Sequence, residues 1–211
     1  SILTIKQRAQ MLKKIITTAV ISTALLMGAS NMANAFTIYN MGETKAYEYN
    51  ELLDRHLDKD IQVWAGYDEE GYKGSHQYIK IKIDGGLHTH DLGMYVGSAE
   101  YTAWMENLSK TIKWATVART NSVDHQKDLT KCSNWNNRCS ASFSAWSNGQ
   151  KATMHLSLED KDNQFYSFDG QIPLDNVYKL KNILEKAVAK TVSLEQEFKN
   201  KPKVNKDELF K

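Results

Sequence analysis

Between Tyr78 and Asp84 the chain alternates without a break, with Ile79, Ile81 and Ile83 on one side and Lys80, Lys82 and Asp84 on the other. Successive side chains of a strand point to opposite faces, so this segment belongs to a sheet with one dry face and one wet face. A sheet of that kind needs an apolar layer over its dry side. The segment Ser98 to Ala118 supplies one: Tyr101, Trp104, Met105, Leu108, Ile112 and Ala115 recur at the three and four residue spacing of one helical face. Ser98 is its expected N-cap, and Glu100 in the first turn suits the helix dipole. A second helix, capped by Asp175, presents Val177, Leu180, Ile183, Leu184, Ala187 and Val188.

The remaining segments fill in the sheet. Ile61 to Tyr67 reads as a strand that ends in the turn Asp68-Glu69-Glu70-Gly71. Gly85-Gly86 reads as a two-residue hairpin loop, which places Ile83 opposite His88, Ile81 opposite His90 and Lys80 opposite Asp91. Cys139, Ala141, Phe143 and Ala145 alternate with serines, Ser147-Asn148-Gly149 turns the chain, and Ala152, Met154, Leu156 and Leu158 return. Phe165 to Phe168 adds another strand, and Thr120 to Lys131 reads as a loop. Tyr49, Leu52, Leu53 and His56 share one helical face, so Thr44 to Asp58 is expected to form a short amphipathic helix. The fold class that follows is α+β: an antiparallel sheet of five to seven strands with two long helices on one face. The match of Tyr78–Asp84 and its helix to Met154–Asp160 and the last helix, at offsets of 75 and 76, allows a duplicated strand-strand-helix unit.

The two-unit pattern over Ile79 to Ala189, strands followed by a Leu-rich helix, resembles in layout the PUR-repeat and whirly type of single-strand nucleic acid binders. That resemblance implies nucleic acid binding, and charge argues the other way. Lys6, Arg8, Lys13 and Lys14 precede Phe36 with no acidic residue beside them, so the rest of the chain holds 23 basic and 25 acidic residues, a net charge of −2. Nucleic acid binders show a basic excess instead.

Lys13-Lys14, an apolar run from Ile15 to Met27 and the small-residue site Ala33-Asn34-Ala35 have the three-part layout of a bacterial secretory signal peptide. The run is shorter than the roughly 20 residues that span a bilayer. Residues 1–10 are expected to be non-native sequence upstream of a start at Met11, residues 11–35 the signal peptide, residues 36–200 a single α+β domain, and residues 201–211 a loose tail. The product is expected to be periplasmic or secreted, with no membrane anchor. Two cysteines in an exported chain, Cys132 and Cys139, then imply one disulfide.

Three features bear on function. The ring Cys132–Cys139 encloses Trp135, Asn136, Asn137 and Arg138, a composition found at protein interfaces, although Trp135 could also fold back as a lid on the sheet. His88 and His90 alternate on one strand and so project to one side, where they could share a transition metal; a third ligand is missing, because Asp91 and His155 point elsewhere. Asp160-Lys161-Asp162-Asn163 opens like a calcium loop but lacks its Gly and Glu, and reads as a hairpin turn. Nucleophile elbows, phosphate loops and the His-Glu-x-x-His motif are absent. The reading is an exported binding module for another protein, of inhibitor or immunity type, with no cofactor expected; catalysis by scattered residues stays open, since active sites assemble in space. The alternative is a metal-binding protein that uses His88 and His90.

Overall fold

The computed structural model describes residues 37–84, 88–163 and 166–200. The expected signal peptide with its cleavage site, the expected Gly85-Gly86 turn and the tail 201–211 lie outside the described residues. The elements run β1 (Thr37–Asn50), β2 (Arg55–Tyr72), β3 (Ser75–Asp84), β4 (Thr89–Tyr95) and α1 (Ala99–Asn121). They continue as β5 (His125–Asp128), β6 (Asn137–Trp146), β7 (Lys151–Asp160), β8 (Ser167–Pro173) and α2 (Leu174–Lys199). Four strands and a helix thus occur twice in order. All eight strands join one antiparallel sheet, β4-β3-β2-β1-β8-β7-β6-β5. Among the described residues no helix is long and apolar enough to cross a membrane.

The alternating segments pair as their patterns require. Val63, Ile81 and Leu92 line up across β2, β3 and β4, as do Ala141, Leu156 and Gly170 across β6, β7 and β8, and all face one core. Each isoleucine buried from β3 contributes roughly 1.5–3 kcal/mol relative to an exposed position. Both helices cover this face. α2 lies across β1, β2 and β3, while α1, which follows β4, lies against β6 and β7. Each helix therefore covers strands of the other half, so the main core draws residues from both halves, with a smaller cluster of Ala115, Ala118, Phe143, Ala145 and Ala152 beside it.

α1 starts where its cap predicts: the Ser98 hydroxyl accepts the N–H of Tyr101 at 3.2 Å. Its deepest residues include Ala103, Trp104, Asn107, Leu108, Thr111 and Ala115, so the helix is rotated slightly from the purely apolar face. Tyr101, Met105 and Ile112 flank the core, and the polar Asn107 is drawn inside because its carboxamide clamps Thr130, donating to the carbonyl (2.7 Å) and accepting from the N–H (2.9 Å). α2 starts at Leu174 behind Pro173, with Asp175 in the first turn but making no capping hydrogen bond.

Four expectations are corrected. The helix over Thr44–Asp58 is instead the end of β1, a turn and the start of β2; Thr44, Ala46, Lys59 and Ile61 are buried at alternate positions, and Tyr49, Leu52 and Leu53 stand exposed near the hairpin tip. The strand at Ile61 runs on through Asp68–Gly71 to Tyr72, with an irregular register there, and turns at Lys73-Gly74. The β3–β4 register is two residues out: Ile83 faces His90 and Ile81 faces Leu92, because Asp84 and Thr89 form the last pair. A shift of two keeps every side chain on its expected face. Lys80 still meets Asp91, at 2.6 Å, as a diagonal ion pair. The strand count is eight because β1 joins the sheet and because β5, wholly exposed, pairs with β6 inside the expected loop.

Candidate functional site

Four connections that are far apart in sequence meet around a groove of about 830 Å³. One wall is the β2–β3 turn, Tyr72 to Ser75, with the β4–α1 junction, Tyr95 to Glu100. The other is Ser133-Asn134-Trp135, with Lys161 from the turn between β7 and β8.

The second wall is held from several directions. Cys132 and Cys139 stand at disulfide distance, with Cα atoms 4.9 Å apart. Inside that ring Asn134 acts as a hub, its carboxamide oxygen accepting the N–H groups of Asn136 (3.0 Å) and Asn137 (2.7 Å). The Lys161 ammonium donates to the carbonyls of Asn134 and Trp135, and the Lys161 N–H donates to the carbonyl of Asn136 at 3.0 Å. The loop is thereby shaped in advance, while the Trp135 side chain stays outside the core and is 52% exposed.

On the first wall Tyr72 and Tyr95 stack at 5.6 Å, Lys73 lies over the Tyr72 ring, and the Tyr95 hydroxyl donates to Asp68 at 2.5 Å. Burial and then the bond to Asp68 push the Tyr95 phenol well above its usual range. Burial alone would raise Asp68; hydrogen bonds from Tyr95 and from the N–H groups of Gly71 and Glu70 outweigh it and hold the carboxyl below its usual value. On the same wall Gly74 and Gly97 face open space, where an added Cβ would meet nothing within 4 Å.

The lining combines the rings of Tyr72, Tyr95 and Trp135 with small and polar side chains. The serine hydroxyls that line the groove are engaged with backbone: Ser75 with the Val96 carbonyl, Ser98 with Tyr101, Ser133 with Cys139. Among the described residues no histidine or cysteine lines the groove. Aromatic faces, small side chains and a few polar groups are the usual makings of a recognition site.

The residues expected at the recognition loop go different ways. Trp135 faces the groove and Asn136 is exposed beside it. Asn137 is buried, with its carboxamide bonded to His90 (3.1 Å) and to the carbonyl of Asp91 (3.3 Å). Arg138 points to the wet face of the sheet and pairs with Glu159 at 3.3 Å. Tyr72, Tyr95 and Lys161 complete the groove and carried no signal in the sequence, since none lies near Trp135 in the chain.

His88 and His90 do come together, with ring centroids 5.3 Å apart. His88 stacks on Tyr166 at 4.4 Å, and its Nε2 is 3.5 Å from Asp160 Oδ2. Among the described residues no three His, Cys, Asp or Glu side chains converge on a common point. His155 pairs instead with Asp169, at 3.1 Å. Asp160 Oδ1 accepts the N–H groups of Asp162 and Asn163, which makes 160–163 the expected turn. No family model, curated protein or solved structure matches this chain.

Proposed function

We propose that the chain is an exported binding module, periplasmic or secreted, that takes a partner protein in this groove as an inhibitor or immunity-type protein does. One observation carries the reading: Trp135 is half exposed on a loop whose backbone is tied at nearly every residue. Aromatic side chains fixed in this way supply the anchors of protein interfaces, and a loop ordered beforehand lowers the entropy lost on binding. Export is supported by the signal-like segment and by a cysteine pair at disulfide distance, which suits an oxidising compartment.

The test is capture from the envelope fraction of the parent cell with wild-type protein and with Trp135→Ala. Binding is expected to weaken by roughly 2 kcal/mol or more. Equal capture by both, with the variant folded, would remove Trp135 from the interface. The mass of the mature product checks export separately, with Phe36 as the expected N-terminus.

A further inference from the structure

The turn between β1 and β2 displays Leu52 and Leu53 to solvent, at 96% and 54% exposure, with Tyr49 half exposed beside them. Single surface leucines are ordinary, but here almost the whole surface of one leucine stands in water next to a second at the apex of a hairpin. The turn is built to hold them there. β1 and β2 pair without interruption from Gly42 and Val63 to Asn50 and Arg55. The Leu53 N–H is then accepted by both the carbonyl (3.3 Å) and the carboxamide oxygen (3.0 Å) of Asn50. The Tyr49 hydroxyl donates to the Asp54 carboxylate, and the Tyr49 and His56 rings meet edge-on at 5.4 Å. Asp54 takes the left-handed φ of +47° that closes the turn. The leucines thus sit on an ordered support, so little further ordering is needed to bury them.

The aromatic groove complements this tip in shape and in charge. Tyr72, Tyr95 and Trp135 offer ring faces around small residues, a lining suited to a branched aliphatic side chain. Glu51 and Asp54 bracket the leucines, and with Arg55 they leave residues 50–55 at net −1. The groove carries the opposite balance, Lys73 and Lys161 against Glu100. Topology decides which chain the tip can reach. β2 starts at the tip and ends at the groove, and its 18 residues run from Arg55 to Tyr72. At about 3.3 Å per residue, tip and groove lie up to roughly 55 Å apart. No chain can bend one strand back so that its own tip fills its own groove.

We propose, resting on the reading of the groove as a recognition site, that the Leu52-Leu53 tip of one chain docks in the aromatic groove of a second copy. Donor and acceptor surfaces differ and lie at opposite ends of one strand, so the contact is head-to-tail and copies add in a row. A hairpin tip buries little area, which makes the contact weak and reversible. At high local concentration it covers Trp135, and on dilution the groove opens to another partner.

Sedimentation equilibrium of the full chain, from micromolar to millimolar concentration, tests this. The mean mass is expected to rise with concentration beyond that of a dimer, while Leu52→Asp and Trp135→Ala each stay at monomer mass with an unchanged circular dichroism spectrum. Mixed in equal amounts, the two variants should form a heterodimer and nothing larger, since one keeps only its groove and the other only its tip. Wild-type chain that stays monomeric at millimolar concentration overturns the proposal, as does association that Leu52→Asp leaves intact, or a mixture of the variants that stays monomeric. So does a tip that binds neutral phosphatidylcholine vesicles while the chain does not self-associate. Capture of an envelope partner by a chain that stays monomeric overturns the head-to-tail contact alone, whereas head-to-tail association with no partner captured supports the contact and removes the partner protein.

Discussion

Asn137→Ala is the perturbation that bears most on how the two halves are joined. β4 is an edge strand of the sheet, and the carboxamide of Asn137 on β6 reaches its Asp91 carbonyl at 3.3 Å and His90 at 3.1 Å. The sheet therefore curls until its β4 edge meets the other half. Each hydrogen bond contributes about 1 kcal/mol net, and a buried partner left unsatisfied adds about 1–3 kcal/mol. With His90 Nδ1–H fully buried and the Asp91 carbonyl partly so, the loss should be about 3 kcal/mol. For a chain of this size that lowers the melting temperature by about 6–12 °C. Thermal and urea unfolding followed by tryptophan fluorescence would measure it, with the exposed neighbour Asn136→Ala as control, expected within about 0.5 kcal/mol of wild type. A loss below about 1 kcal/mol for Asn137→Ala would refute the view that this carboxamide fastens β4 to β6.

Three further outcomes are expected. Removing the cysteine link in a Cys132→Ser/Cys139→Ser variant should lower stability by about 2.5 kcal/mol on the chain-entropy estimate for so short a loop, measured by urea unfolding; an unchanged midpoint would mean the ring adds nothing. Gly149→Ala should cost more than about 2 kcal/mol, because the residue sits at φ +74° and a Cβ there would meet the Ala118 carbonyl at 2.2 Å; a variant that melts with wild type would contradict that packing. Burial, then the carboxylates of Asp91 and Asp68, push Tyr78 up to about 12, and Tyr95 is raised by burial and its bond to Asp68. Both folded-state values lie above the unfolded value of about 10. Their contribution is therefore full below about pH 10 and is lost as pH rises through about 12. Tyrosinate absorbance should show Tyr78 and Tyr95 as the last phenols to ionise, together with loss of fold, and all ten titrating near pH 10 in the folded chain would contradict the assignment.

Much of the core was legible because period carries it. Ile79, Ile81 and Ile83, the β6–β7 hairpin and both helices are long patterned runs, and even the two-residue register error at Gly85-Gly86 left each side chain on its proper face. The failures have a common cause. Tyr49, Leu52, Leu53 and His56 match a helical face by spacing, yet they lie at and beside an exposed hairpin tip, and the buried alternation around them uses Thr44, Ala46 and Lys59, which carry little hydrophobic signal. β5 is entirely exposed and polar, so only its pairing with β6 defines it. Trp135 could be singled out because no periodicity claimed it. Its groove could not, since Tyr72, Tyr95 and Lys161 reach it only when four separate turns converge.

The most direct test of the groove as a protein-binding site is a photo-crosslinking amino acid at position 135 in the parent cell, with the same residue at the exposed Tyr178 on α2 as control. One discrete envelope protein is expected to join at position 135 and not at 178, with the adduct lost when Tyr72 on the facing wall is replaced by alanine. The same pattern at both positions, no adduct at 135, or an adduct indifferent to Tyr72→Ala would contradict it.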